Sequence, residues 1–133
     1  MMRYLLDTNI CSYILKNRPA SVKQKFDEVG ASHLCISSVV LAELYYGAAR
    51  HPKSVIIRKE IDSFVSRLLV IAWDEHAANH YGAIRAALEK AGTPVGAMDM
   101  LIAAHARSMR ATLVTNNLRE FERIEGLIVQ NWA

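Results

Sequence analysis

The 133-residue chain has only two cysteines, three prolines and six glycines, and aromatic residues make up 8% of it. Two cysteines as far apart as Cys11 and Cys35 build neither a disulfide framework nor a CxxC metal site, so both read as small core residues of a reduced protein. Scarce glycine and proline exclude collagen-like and low-complexity designs, and no internal repeat or linker interrupts the chain. No apolar run reaches the length of a membrane span. The opening MMRYLLDTNI is broken by Asp7 too early for a signal peptide, so a cytoplasmic protein without a membrane segment is expected. Neither GxGxxG nor a Walker A pattern occurs, which removes the familiar nucleotide cradles. An HExxH motif is also absent, although His76 and His80 stand four apart. Histidine-based catalysis is therefore the weaker reading, and His105 reads as packing.

What remains is a mildly basic chain, 52% hydrophobic, with a formal charge of +3. One domain over residues 1–133 suffices for that length. Its apolar surplus points to a partner or a second copy covering part of the surface.

Short apolar segments alternate with amphipathic ones. Strands are expected at 3–6, 33–36, 68–73 and 111–115, with an edge strand at 127–130. Helices are expected at 8–16, 20–28, from Ser37 or Ser38 to Arg50, from Pro52 onward, after Asp74, at 97–109 and around 117–123. This alternation predicts an α/β fold: a mostly parallel sheet of four or five strands with helices on both faces. Ligands of such sheets bind beyond the carboxyl ends of the strands. Asp7 and the run Thr115-Asn116-Asn117 each follow a strand directly and belong on that edge.

Three acids are isolated in otherwise uncharged segments. Asp7 is the only formal charge between Arg3 and Lys16, Glu43 between Glu28 and Arg50, and Asp99 between Lys90 and Arg107. Neither Glu43 nor Asp99 has a lysine or arginine three or four residues away to pair with. An unpaired carboxylate on a buried face costs several kcal/mol, roughly the worth of a helix cap or more. Convergence on a hard divalent cation, Mg²⁺ or Mn²⁺, removes that cost. Each acid also has a plainer explanation: a helix cap for Asp7, a favourable helix start for Asp99 and an exposed face for Glu43.

The same segments resemble the PIN-domain ribonucleases, and in particular the VapC toxins of toxin–antitoxin pairs. LLDTNICSYILKNRP is similar to the first family motif, SSVVLAELYYGA to the second, GTPVGAMDMLIAAHA to the third and VTNNLREFERI to the fourth. The resemblance implies a PIN-like fold and an endoribonuclease that leaves a 5′-phosphate and a 3′-hydroxyl, with a transfer RNA, including the initiator tRNA, among the expected substrates. It also implies a cognate VapB-type antitoxin, and a homodimer or a toxin–antitoxin hetero-oligomer. In the site it implies, Asp7 and Asp99 bind Mg²⁺ (or Mn²⁺) directly. Glu43 acts through a water or helps to deprotonate it. Thr8, Asn9 and Thr115 orient acids and waters.

The chain departs from the family where Asn117 replaces a common fourth aspartate. Asn117 can hold a metal-bound water or a phosphate, and Glu120 is the candidate replacement carboxylate. Arg85, Lys90, Arg107, Lys16, Arg18 and Arg119 are candidate RNA-binding cations, and Leu44, Tyr45, Tyr46, Ile56 and Ile57 candidate contacts for a partner. Two other readings compete. One is a degenerate domain that binds RNA or protein without cutting. The other is phosphotransfer through Asp7, which lacks the second aspartate expected at Asn9.

Overall fold

A computed structural model describes residues 3–133. Five strands form one sheet in the order β3-β2-β1-β4-β5, with every neighbouring pair parallel. They are β1 (Tyr4–Leu6), β2 (Leu34–Ser37), β3 (Leu69–Ile71), β4 (Thr112–Val114) and β5 (Ile128–Gln130). The connections hold seven helices. α1 (Thr8–Lys16) and α2 (Ala20–Val29) follow β1; α3 (Ser38–Ala49) and α4 (Ser54–Val65) follow β2. α5 (Glu75–Ala91) and α6 (Ala97–Met109) follow β3, and α7 (Leu118–Phe121) follows β4.

The chain steps outward from β1 to β3 on one side, then crosses to β4 and continues to β5 on the other. Right-handed crossovers therefore place α1–α4 on one face and α5–α7 on the opposite face. The contacts agree: α1 packs on α2, α3 and α4, whereas α5 and α6 form a close pair. The step from outward to return travel leaves a crevice between β1 and β4, at the carboxyl ends of adjacent parallel strands.

The three inner strands bury nearly everything. Leu5, Leu6, Ile36, Leu113 and Val114 have no exposed surface. Each such side chain contributes roughly 1.5–3 kcal/mol by leaving water. On α6 the consecutive Ile102, Ala103, Ala104, His105 and Ala106 are all buried, and the small alanines allow close approach to neighbours. The flanking strands differ, for Leu69 and Ile128 stay about half exposed (49% and 60%). Both cysteines are free and buried, and burial pushes their thiols up, Cys35 to about 11.

Several boundaries shift from the sequence expectation. His33 closes a 3-10 turn over Ala31–His33, and β2 starts at Leu34. Pro52 does not open α4; it lies in a turn closed by the Lys53 N–H donating to His51 Nδ1, and the helix begins at Ser54. β3 stops at Ile71 because Trp73 is held elsewhere, its backbone N–H on Ser38 Oγ and its indole N–H on the Leu101 carbonyl. α7 is confined to Leu118–Phe121. Among the described residues no helix is long and apolar enough to cross a membrane.

Candidate active site

Asp7 ends β1 and caps α1. Its backbone N–H donates to the Val114 carbonyl of β4 at 3.0 Å, which fixes it at the crevice. Its Oδ1 accepts from the Ile10 N–H at 2.9 Å, the ordinary capping bond. Capping and a place at the crevice therefore coexist in one residue. Asp7 is only 5% exposed, and burial raises its pKa, opposed by a hydrogen bond with Thr115.

Glu43 enters from the middle of α3. Thr8, at the first position of α1, donates its hydroxyl to Glu43 Oε1 at 2.5 Å. Two candidates thirty-five residues apart are thus joined directly. Asp99 stands in the first turn of α6, half-buried, with its pKa raised to about 6. Burial is the main cause, followed by the negative charges of Glu120, Asp7 and Glu43.

Glu120 on α7 completes the group. Its Oε1 accepts from the Gly96 N–H at 3.0 Å and its Oε2 from Asn117 Nδ2 at 2.6 Å. Gly96 is also where Asp99 and Glu120 meet: a Cβ there would lie 3.9 Å from Asp99 Oδ2 and 3.9 Å from Glu120 Oε1. Asn117 thus supplies a donor that orients Glu120, while Thr115 Oγ1 accepts from the Asn117 N–H at 3.0 Å. The Asn9 side chain reaches Asn116 by a long 3.5 Å contact, while its backbone N–H bonds to the Asp7 carboxylate.

Four carboxylates, Asp7 just ahead of α1 and the others on α3, α6 and α7, therefore gather at the crevice. Among the described residues none of them joins an ion pair; the four pairs found lie on α2, α4 and α5. These residues fit a hard divalent cation by donor chemistry: oxygen ligands only, mutual repulsion that raises Asp99, and no basic side chain neutralising them. Among the described residues no three His, Cys, Asp or Glu side chains are grouped closely enough to hold a metal ion as they stand.

The candidate cations fare unevenly. Arg85 donates to Glu89 at 2.9 Å and to the Tyr81 hydroxyl, both on its own helix, rather than to any of the four acids. Arg107 fastens His80 Nδ1 and the Glu125 carbonyl. That bond engages one of the two ring nitrogens of His80. His105 is buried, with its Nδ1 unpartnered. Among the candidate partner contacts, Leu44 belongs to the core and Tyr45 and Ile57 are half-buried, whereas Tyr46 (67%) and Ile56 (55%) are exposed.

Sequence reasoning missed Gly96 and Tyr13. The first anchors Glu120; the second accepts from Asn116 Nδ2 at 2.7 Å. Their partners lie 24 and 103 residues away, and nothing local in the sequence announces such contacts.

The PIN domain model matches residues 4–127. The chain is 47% identical over its whole length to the tRNA(fMet)-specific endonuclease VapC of Shigella flexneri, which it also covers completely. It is 45% identical to ribonuclease VapC2 of Haemophilus influenzae, again over the whole of both chains. Among solved structures it superposes on a chain of DNA-bound VapBC from Salmonella typhimurium with a TM-score of 0.94, at 44% identity over all of both chains. VapBC2 from Rickettsia felis, bound to a promoter DNA fragment, matches with a TM-score of 0.93 at 41% identity, covering 99% of this chain and all of the other. A five-stranded parallel sheet with its acids at the β1–β4 crevice, full-length similarity to these ribonucleases and the matching family model lead to one conclusion: the chain belongs to the PIN domain family, within its VapC group.

Proposed function

We propose that this chain is the toxin of a toxin–antitoxin pair, a metal-dependent endoribonuclease that acts in the cytoplasm on a transfer RNA, the initiator tRNA foremost. The observation that carries the reading is the gathering of Asp7, Glu43, Asp99 and Glu120 without a basic partner. The relatives' names supply the substrate class: those from Shigella flexneri and Salmonella typhimurium are tRNA(fMet)-specific endonucleases.

Asp7 and Asp99 would hold Mg²⁺ or Mn²⁺, with Glu43 and Glu120 completing the oxygen set. A divalent ion bound there supplies Lewis-acid polarisation of the phosphate and a more acidic water. The protein's own part is positional. Thr8 occupies Oε1 of Glu43, which leaves Oε2 facing the task of taking a proton from the attacking water. That water's oxygen bonds to phosphorus as the bond to the 3′ oxygen breaks, leaving a 5′-phosphate and a 3′-hydroxyl that has taken up a proton. Gly96 and Asn117 hold Glu120 beside Asp99, so the α6 and α7 contributions keep a fixed relation.

An antitoxin of the VapB type is the proposed partner, as in the VapBC complexes of the relatives. The exposed Tyr46, Val55 and Ile56 on α3 and α4 give it, or a second copy, apolar surface to cover.

The test is to incubate the antitoxin-free protein with purified initiator tRNA, and separately with elongator tRNAs, in Mg²⁺. A single cut in the initiator tRNA, with a 5′-phosphate at the new end, is the expected result. Intact RNA from folded, inhibitor-free protein would overturn the reading.

A further inference from the structure

Beside the acidic crevice lies a basic groove that the catalytic scheme does not use. Tyr13, Lys16, Arg18, Pro19 and Ala133 line a space of ≈ 410 Å³ against the end of α1. Tyr13 is half-buried, and its hydroxyl accepts from Asn116 Nδ2 at 2.7 Å. Its ring is therefore tied to the segment that leaves β4 for Asn117 and Glu120. Lys16 and Arg18 are exposed, and among the described residues neither side chain has an ion-pair or hydrogen-bond partner. Lys16 also borders a larger groove of ≈ 530 Å³ that reaches Thr8 and Glu43. One cation thus connects the two spaces, and the basic groove continues the surface that leads away from the acids.

The favourable end of a helix dipole accounts for Lys16 in the last turn of α1. It accounts neither for Arg18 beyond the helix nor for the aromatic ring of Tyr13 in the same groove. An aromatic ring and free cations lining one groove are the ordinary composition of a single-stranded nucleic-acid site, stacking a base and pairing its phosphates. Along α1, Lys16 stands roughly 13 Å from Asp7 at 1.5 Å per residue, within the span of one bound strand.

We propose that this groove is a substrate subsite: it holds a nucleotide flanking the cleaved bond, with the base on the Tyr13 ring and its phosphates on Lys16 and Arg18. The proposal rests on the nuclease reading above. RNA is the favoured occupant because the groove meets, at Lys16, the larger one that reaches Glu43, and the charged side chains of the smaller groove are basic.

The test is fluorescence anisotropy with a fluorescein-labelled, mixed-sequence single-stranded RNA dodecamer in Mg²⁺. An Asp99→Asn background prevents cleavage, and circular dichroism checks folding. Tyr13→Leu should weaken binding about tenfold, and Tyr13→Phe should stay within about twofold of the parent. Lys16→Gln with Arg18→Gln should flatten the dependence of log affinity on log salt by about 1.4, from about 0.7 per phosphate contact. That slope is a readout that loss of packing does not move, and both positions are exposed, so it decides the matter even if Tyr13→Leu fails to fold. An unchanged slope, when the protein with Asp99 intact cuts RNA, overturns the subsite and leaves the nuclease intact. The same holds if these variants lose only the protein partner. A parent that binds no RNA at all overturns both.

Discussion

Asp99 carries the heaviest electrostatic load of the site, with a pKa of about 6 against an ordinary 3.8. Between those two values the folded chain holds more protons than the unfolded one, so stability falls as pH rises through that window. Below it the carboxyl is protonated in both states, and above it the cost is fully present. In EDTA, Asp99→Asn should therefore melt higher than the native protein above pH 6, with the difference disappearing as the pH falls toward 4. Thermal melts at several pH values check this; an equal difference at every pH would contradict it. Mg²⁺ should narrow the gap, since a bound cation relieves the repulsion that raises Asp99. The Thr8–Glu43 bond makes a second prediction at this scale. Thr8→Val keeps the size of the side chain and removes the hydroxyl, leaving Glu43 without its orienting donor. Activity should fall roughly 10–100-fold with little change in melting temperature, as expected when a group that orients a metal-site ligand is lost. Kinetics on the cleaved RNA, beside a melt, separate these two quantities.

The elements place the site because adjacent parallel strands end together. β4 is central to this, joining β1 on one side and β5 on the other, and it delivers Thr115 to Asp7. Leu113→Ala, in the middle of β4 and fully buried, should cost about 2–5 kcal/mol in urea denaturation. An effect below about 1 kcal/mol would mean that β4 is not the packed centre described here. Much of this layout is legible in the sequence, because buried parallel strands leave short apolar runs and lone acids stand out in uncharged segments. Asp7, Glu43 and Asp99 are singled out in that way. Element ends are harder to read. Pro52 suggests a helix start, but a turn held by His51 displaces it, and tertiary bonds from Trp73 shorten β3. The clamp on Glu120 is illegible for another reason: half of it is a backbone N–H, and every residue except proline has one. Exposed apolar residues were equally mixed in the sequence, where Leu44 and Tyr46 look alike although α3 buries one and presents the other.

At the scale of the molecule, the site is an addition to a fold that does not need it. The core consists of apolar residues from both faces of the sheet, whereas the acids sit at one edge and repel one another. Removing metal with EDTA should therefore leave the far-ultraviolet circular dichroism and cooperative unfolding intact, unlike a protein folded around a structural ion. Loss of the helical signal on chelation would contradict this. The basic whole, at +3, surrounds an acidic crevice, so on the proposed reading RNA is attracted to the molecule and repelled from its centre until a cation is present.

That opposition makes metal-dependent cutting by these acids the central claim. The most direct measurement compares the antitoxin-free protein with Asp7→Ala and Asp99→Ala on total cellular RNA, in Mg²⁺ and in EDTA. Discrete fragments are expected from the native protein in Mg²⁺ alone, with each variant reduced roughly hundredfold or more. Cleavage that survives EDTA, or that survives both substitutions, would contradict the account.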